Sequence, residues 1–276
     1  GYSKFRKQTI TDAHIMEPSN SKKIACLADK SPKAQAAYAE LSQLYDFVEI
    51  GRRQNPDVIL VLGGDGFMLE MMHQHFPRKI PFYGMNCGTV GFLLNQYRPE
   101  NLLDRINNSR DTSLHPLRMY ARCRNGKSHE LMAMNEVSLF RQTRQAAKIR
   151  VTVDHVVRID EMVGDGILAA TPAGSTAYNF SAGGPIVPLD SNLIALTPLN
   201  PFRPRRWRGA LLPETSAVAL TNLEPDFRPL SVSADSTEFR NVKSVSVVQA
   251  RDITLNLLYD PGFSLTERAI QEQFLV

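Results

Sequence analysis

Five consecutive apolar residues, Val58-Ile59-Leu60-Val61-Leu62, run directly into Gly63-Gly64-Asp65-Gly66, and a helix-forming stretch, Phe67-Met68-Leu69-Glu70-Met71-Met72, follows at once. A strand that is apolar at every position has to be covered on both faces, which points to a parallel sheet flanked by helices. The neighbouring segments agree. Ile24–Ala28 reads as a second buried strand, Ser31 offers an N-cap and Pro32 suits the first helical position. Ala34, Ala37, Tyr38, Leu41, Leu44 and Tyr45 then recur at helical spacing. Ile80–Gly84 reads as a strand and 99–108 as a helix, so Lys23 to about His115 alternates strand and helix.

After Pro116 the pattern changes. Asn125-Gly126 sits between two strand-like runs, 118–124 and 128–140, which predicts a hairpin. Ile149–Ile159, Ile167–Ala170, Val218–Leu223, Leu230–Ala234, Val242–Val248 and Ile253–Tyr259 also read as strands. Most alternate polar and apolar residues, as antiparallel sheets with one wet face do. Six of the 17 prolines fall in 185–213, which predicts a long irregular connection there. The expected organisation is a flexible segment 1–21, an α/β domain 22–115, an all-β domain 116–259 and a tail 260–276.

Composition removes several classes of function. With 43% hydrophobic and 22% charged residues the chain is an ordinary globular protein, not a disordered one. No apolar run approaches the roughly 18–20 residues that cross a bilayer, so no membrane partner is expected. The first twenty residues carry no signal-peptide core. Cys26, Cys87 and Cys123 are an odd set without C-x-x-C spacing, which fits reduced thiols in the cytoplasm. Lys+Arg 32 against Asp+Glu 28 gives 32 − 28 = +4, and Arg203, Arg205, Arg206 and Arg208 alone supply that excess. A cluster confined to nine residues, with Pro201, Pro204 and the only tryptophan, Trp207, is a poor nucleic-acid footprint. It reads as a subunit-contact arm in preference to a phosphate-facing loop.

Three constellations can carry chemistry. In Gly63–Gly66 the glycines let backbone amides approach a ligand, and the following helix start favours anions, phosphate above all. The Asp65 carboxylate is out of place beside phosphate unless it holds Mg²⁺ or takes a proton from an attacking hydroxyl; a plain capped turn explains four such residues equally well. Asn135-Glu136 puts an amide and a carboxylate on opposite faces of a strand run. Glu136 can accept from two ribose hydroxyls and Asn135 can donate to a phosphate or contact a base, although a bulge at a strand end is the simpler reading. Finally, Gly164–Tyr178 and Ser181–Pro185 combine small residues that open space, hydroxyls that bind polar edges and the flat face of Tyr178. The chain has no G-x-x-x-x-G-K-[ST] loop, no G-x-G-x-x-G fingerprint and no G-x-S-x-G elbow. His73 and His75, two apart on a predicted helix, make a poor metal pair, so no protein metal site is expected.

Taken together, Gly63–Gly66, Asn86-Cys87-Gly88-Thr89-Val90-Gly91-Phe92-Leu93, Asn135-Glu136, Gly164-Asp165-Gly166 and Thr171–Gly184 resemble the NAD kinase family in order and spacing, over roughly 22–275. The Pro201–Gly209 segment is similar to the family's α-proteobacterial branch. The resemblance implies an α/β plus all-β fold, in which an N-terminal Rossmann-like α/β domain is followed by a C-terminal β-sandwich-like domain. It implies homodimers or homotetramers, with 260–276 returning to the first domain. The implied reaction moves the γ-phosphoryl of ATP, with Mg²⁺ or another divalent cation, to the 2′-hydroxyl of the NAD adenosine ribose, giving NADP and ADP. By resemblance Asp65 is the general base, Gly63, Gly64 and Gly66 shape the phosphate pocket, and Phe67 approaches the adenine end. Asn135 and Glu136 would bind NAD, and Asp165, Thr176, Ala177, Tyr178 and Ser181 would complete the dinucleotide site, some across a subunit interface.

The chain departs from the family pattern in places. Phe67 stands where many members carry Thr and Val163 where some carry Arg. His155 follows Asp154 where glycine is common, which implies a different hairpin turn. The rival readings are a lipid or sugar kinase of the same superfamily and a non-enzymatic dinucleotide sensor or nucleic-acid module. The hydroxyl-rich Thr171–Ser181 run argues against the first, and the joint presence of Asp65, Asn135 and Glu136 against the second.

Overall fold

The computed structural model describes residues 22–51, 55–88, 91–263 and 274. Its first domain holds β1 (Ile24–Ala28), α1 (Pro32–Leu44), β2 (Val58–Gly63), α2 (Asp65–His75), β3 (Phe82–Asn86), β4 (Asn95–Gln96), α3 (Leu102–Asn107) and β5 (Arg110–Leu114). β1, β2 and β3 are parallel neighbours with β2 in the middle. The apolar run of β2 is covered on both sides, as its composition demands. Val58, Leu60 and Leu62 pack with Ala34, Ala37 and Leu41 of α1, while Ile59 and Val61 pack with Met68, Met71 and Met72 of α2. α1 begins as expected, with Pro32 at its first position and the Ser31 hydroxyl accepting from the Ala34 amide at 3.4 Å.

The second domain is built from β6 (Leu117–Cys123), β7 (Ser128–Ala133), β8 (Glu136–Arg141), β9 (Ala147–Val153), β10 (Val156–Gly164) and β11 (Gly166–Ala170). The short helix α4 (Tyr178–Ser181) separates these from β12 (Leu193–Leu199), β13 (Ala210–Pro213), β14 (Val218–Asn222), β15 (Leu230–Ala234), β16 (Thr237–Phe239) and β17 (Val242–Gln249). They form two six-stranded antiparallel sheets, ordered β10-β9-β14-β17-β6-β7 and β13-β12-β11-β8-β15-β16. Inward residues of both, such as Met119, Val151 and Val247 against Leu139, Ile167 and Val232, form one core, so the domain is a β-sandwich. β6 and β7 close the expected hairpin, with Gly126 at φ +81°.

Four expectations need correction. The run 128–140 is two strands in different sheets, because the chain crosses between them at Met134-Asn135. Ile149–Ile159 is also two strands, turned at Asp154 and His155, which both adopt left-handed backbone (φ 52° and 64°). The proline-rich stretch 185–213 contains β12 and β13. β12 tolerates Pro198 because pairing with β13 ends at Leu196, so no partner on that side needs its missing N–H. Lastly, the all-β domain does not extend to 259: β18 (Leu255–Tyr259) lies in the first sheet, parallel to β3 and antiparallel to β5. Leu255, Leu257 and Tyr259 are buried in the first domain's core. Beyond β18 the Asp260 amide donates to Asn95 Oδ1, and the Asp260 carboxylate pairs with Arg105 at 2.7 Å. The expected segment 1–21 and nearly all of the tail after Phe263 lie outside the described residues.

Candidate functional site

Gly63 ends β2 and Gly64 is the N-cap of α2, so Asp65 is the first helical residue. Its carboxylate is clamped by the motif that follows β3: Oδ2 accepts from the Phe92 amide at 2.7 Å and Oδ1 from the Leu93 amide at 3.0 Å. A Cβ on Gly91 would sit 3.3 Å from Asp65 Oδ1, so the glycine makes room for this clamp. Phe67 folds back against Gly63 and the first domain's core, away from the cleft lining.

Asn135 and Glu136 sit at the crossing between the sheets, held from two sides. On one side the Thr171 hydroxyl donates to the Met134 carbonyl at 2.7 Å and the Thr171 amide to the Asn135 carbonyl at 2.9 Å. Gly174 lies so close that a Cβ there would be 2.1 Å from the Asn135 carbonyl oxygen. On the other side stands Asp235, in the turn between β15 and β16. Its Oδ2 accepts from the Met134 amide (2.7 Å), and its Oδ1 from the amides of Asn135 (2.9 Å) and Glu136 (3.1 Å). His73 Nε2 of α2 donates to Asp235 Oδ2 at 2.7 Å, which ties the helix headed by Asp65 to the sandwich.

Between α2 and this crossing lies a cleft of about 590 Å³, lined by Gly66, Glu70 and His73 of α2 and by Asn135, Glu136, Asp235, Ser236 and Thr237. Asn135 Oδ1 and Glu136 Oε2 are buried with no hydrogen-bond partner. Burial, and secondly the Asp235 carboxylate, push the Glu136 carboxyl from an ordinary 4.5 up to about 7. Unmet acceptors of this kind call for donors, from water or from a ligand.

The other expected residues lie apart from this cleft. Tyr178 is 40% exposed, and its hydroxyl pKa is raised by burial and by the Asp165 and Glu136 charges. Thr176 Oγ1 donates to the Ala173 carbonyl at 3.3 Å, Ala177 is half-buried and Ser181 is exposed. Asp165 is already engaged: Asn200 Nδ2 donates to it at 2.9 Å and Arg141 Nε at 2.6 Å, and these two, Asn200 first, hold its carboxyl below the usual range. Asp235 carried no signal in the sequence, since an aspartate beside a serine between strands reads as an ordinary turn. His73 reads from the sequence only as half of a poor metal pair. Among the described residues no group of three or more His, Cys, Asp or Glu could hold a metal ion.

An anion-favouring helix start on one wall and unpaired hydroxyl acceptors on the other suit a phosphorylated nucleoside. The fold and site therefore define a two-domain nucleotide phosphotransferase. Residues 6–110 match the ATP-NAD kinase N-terminal domain family and residues 134–249 the ATP-NAD kinase C-terminal domain family. The chain is 46% identical to the NAD kinase of Zymomonas mobilis over 254 residues, covering 91% of this chain and 97% of that one. It is 49% identical to that of Caulobacter vibrioides over 252 residues, covering 91% and 96%. The fold is similar to yeast NADH kinase complexed with NADH (TM-score 0.77, 19% identity, 91% and 86% covered). It is also similar to an Archaeoglobus fulgidus NAD kinase in complex with ATP (TM-score 0.71, 22% identity, 91% and 97% covered). The chain belongs to the NAD kinase family, whose members are ATP-dependent phosphotransferases. That membership removes the lipid-kinase and sugar-kinase readings. Among the described residues, no helix is long and apolar enough to cross a membrane.

Proposed function

We propose that the cleft between α2 and the sandwich phosphorylates NAD at the 2′-hydroxyl of its adenosine ribose, with Asp65 as general base. One observation carries this reading: Asn135 and Glu136, each with a buried oxygen that has no hydrogen-bond partner, line the same cleft as Gly66 of the glycine turn. Ribose hydroxyls are donors of the right kind for Glu136, and the start of α2 offers amides to the ATP phosphates. The ribose 2′-oxygen forms a bond to the γ-phosphorus, the bond to the ADP oxygen breaks, and the hydroxyl proton passes to Asp65. An ordinary carboxylate cannot strip that proton beforehand. In a loose transition state it needs only to orient the hydroxyl and take the proton late.

A divalent cation fits as a guest of the triphosphate, not in a cage of side chains, and when bound it offsets charge on the β- and γ-oxygens. Asp165, Thr176, Ala177, Tyr178 and Ser181 belong to the same proposal as the outer dinucleotide site, and Phe67, packed against Gly63, belongs with the glycine turn. Tyr178 supports it as an exposed ring whose titration is coupled to both Glu136 and Asp165. Exposed Phe180 and Phe202 flank that outer region, which favours completion of the site in a homodimer or homotetramer. Three free thiols agree with a cytoplasmic location.

The test is Asp65→Asn, assayed for NADP formation and for NAD binding by titration calorimetry. Turnover is expected to fall by about 10²–10⁴-fold with NAD affinity within a few-fold of the parent. Near-normal NADP formation would remove Asp65 from the base role.

A further inference from the structure

We propose that Asp235, backed by His73, is a positioning residue for the NAD side of the reaction: it sets Asn135 and Glu136 and registers them against the helix that begins with Asp65. The inference rests on Asn135 and Glu136 being NAD ligands, as argued above.

Asp235 accepts from the consecutive amides of Met134, Asn135 and Glu136, at the point where the chain leaves one sheet for the other. Neither sheet can supply partners for those donors there, and a buried amide without one is costly. Asp235 itself holds left-handed backbone, φ 48°, and donates its own amide to the Glu136 carbonyl at 3.1 Å. Its side chain is only 6% exposed. A left-handed aspartate whose carboxylate makes four bonds outside its own turn is placed for those bonds, not for the turn.

The fourth bond carries the functional consequence. His73 lies eight residues along α2 from Asp65, on a rigid helix, and its Nε2 reaches the same Oδ2 that holds the Met134 amide. One carboxylate thus joins the phosphate-side helix to the acceptor-side strand. Its charge also faces Glu136, together with His73 and Glu70 from α2 and Tyr178 from α4. Removing that charge should change both where Glu136 sits and the pH at which it ionises.

The experiment compares Asp235→Asn, His73→Gln, Glu136→Gln and the Asp235→Asn/Glu136→Gln pair in steady-state assays with NAD and ATP–Mg²⁺ from pH 5 to 9. For Asp235→Asn the KM for NAD should rise at least about tenfold, with the KM for ATP within about twofold. The acid limb of kcat/KM for NAD should move down by about one pH unit, since a like charge beside Glu136 has gone. That displacement should vanish in the Glu136→Gln background. His73→Gln keeps the three amide bonds and should raise the KM for NAD by a few-fold at unchanged KM for ATP. If Asp235→Asn does not fold, as circular dichroism would report, the His73→Gln split decides alone. Parallel rises in both KM values, or no rise in either, overturn the positioning role. An unmoved acid limb in folded Asp235→Asn overturns it as well. If Glu136→Gln itself leaves the KM for NAD unchanged, the reading of the site fails and the inference goes with it. An effect of Glu136→Gln with none from Asp235 or His73 overturns the inference alone.

Discussion

Glu136→Gln should make the protein more stable and less able to bind NAD. The wild-type carboxyl is held at about 7 in the folded chain against an ordinary 4.5, chiefly by burial and then by Asp235. The folded state therefore holds this proton more tightly than the unfolded chain does. The stability it contributes is complete below about 4.5 and is lost as pH rises to about 7. A displacement of about 2.5 units corresponds to about 3 kcal/mol at most, and the opening of the side chain to the cleft reduces this to about 2 kcal/mol. Glutamine is nearly isosteric and never ionises, so the variant escapes the loss. By thermal melts the two proteins should coincide near pH 4.5 and separate above it, with the variant ahead by roughly 5 °C at pH 8. NAD affinity should fall, since an amide offers one acceptor oxygen where the carboxylate offered two. Melting curves that run parallel from pH 4.5 to 8, or a variant that melts lower at pH 8, would refute the claim that a strained carboxylate is retained there for binding.

The remaining predictions use other parts of the site and fold. NAD binding at pH 6 should release about one proton, because ribose hydroxyls favour the charged form of Glu136; calorimetry in two buffers of different ionisation enthalpy should give different apparent heats, and equal heats would contradict it. Gly174→Ala should cost about 3 kcal/mol and weaken NAD binding, since its Cβ would lie 2.1 Å from the Asn135 carbonyl; urea denaturation measures the first and titration the second. His155→Gly should stabilise by about 0.5 kcal/mol, as His155 pays for left-handed backbone at φ 64°, with the denaturation midpoint as the readout. Replacing Arg203, Arg205, Arg206 and Arg208 by alanine should shift the protein to a smaller species on size exclusion. The melting temperature should barely change, because the four are exposed and the Arg203 and Arg205 side chains lie over the exposed Phe202 ring.

The amino-acid sequence by itself determined whatever depends on neighbours along the chain. Val58–Leu62 has to be a strand covered on both faces, Ser31-Pro32 has to open a helix, and Asn125-Gly126 has to turn. The glycine turn at Asp65 is likewise local, because strand, glycine and helix are contiguous. Pairings between distant residues were decided only by tertiary structure. The crossing at Met134-Asn135 is invisible in an unbroken β-like run, since what breaks it is a carboxylate about 100 residues away. Leu255–Tyr259 alternates no differently from the sandwich strands, yet it has partners in the first sheet. Most of the candidate site residues were legible as motifs, but the residue that brings two of them into register was not. The His73–Asp235 bond spans 162 positions, and a periodicity or turn signal reaches only a few residues. Local propensity chooses the elements, whereas hydrogen bonds at the places where elements end choose how they meet, and those bonds exist only after the chain has folded.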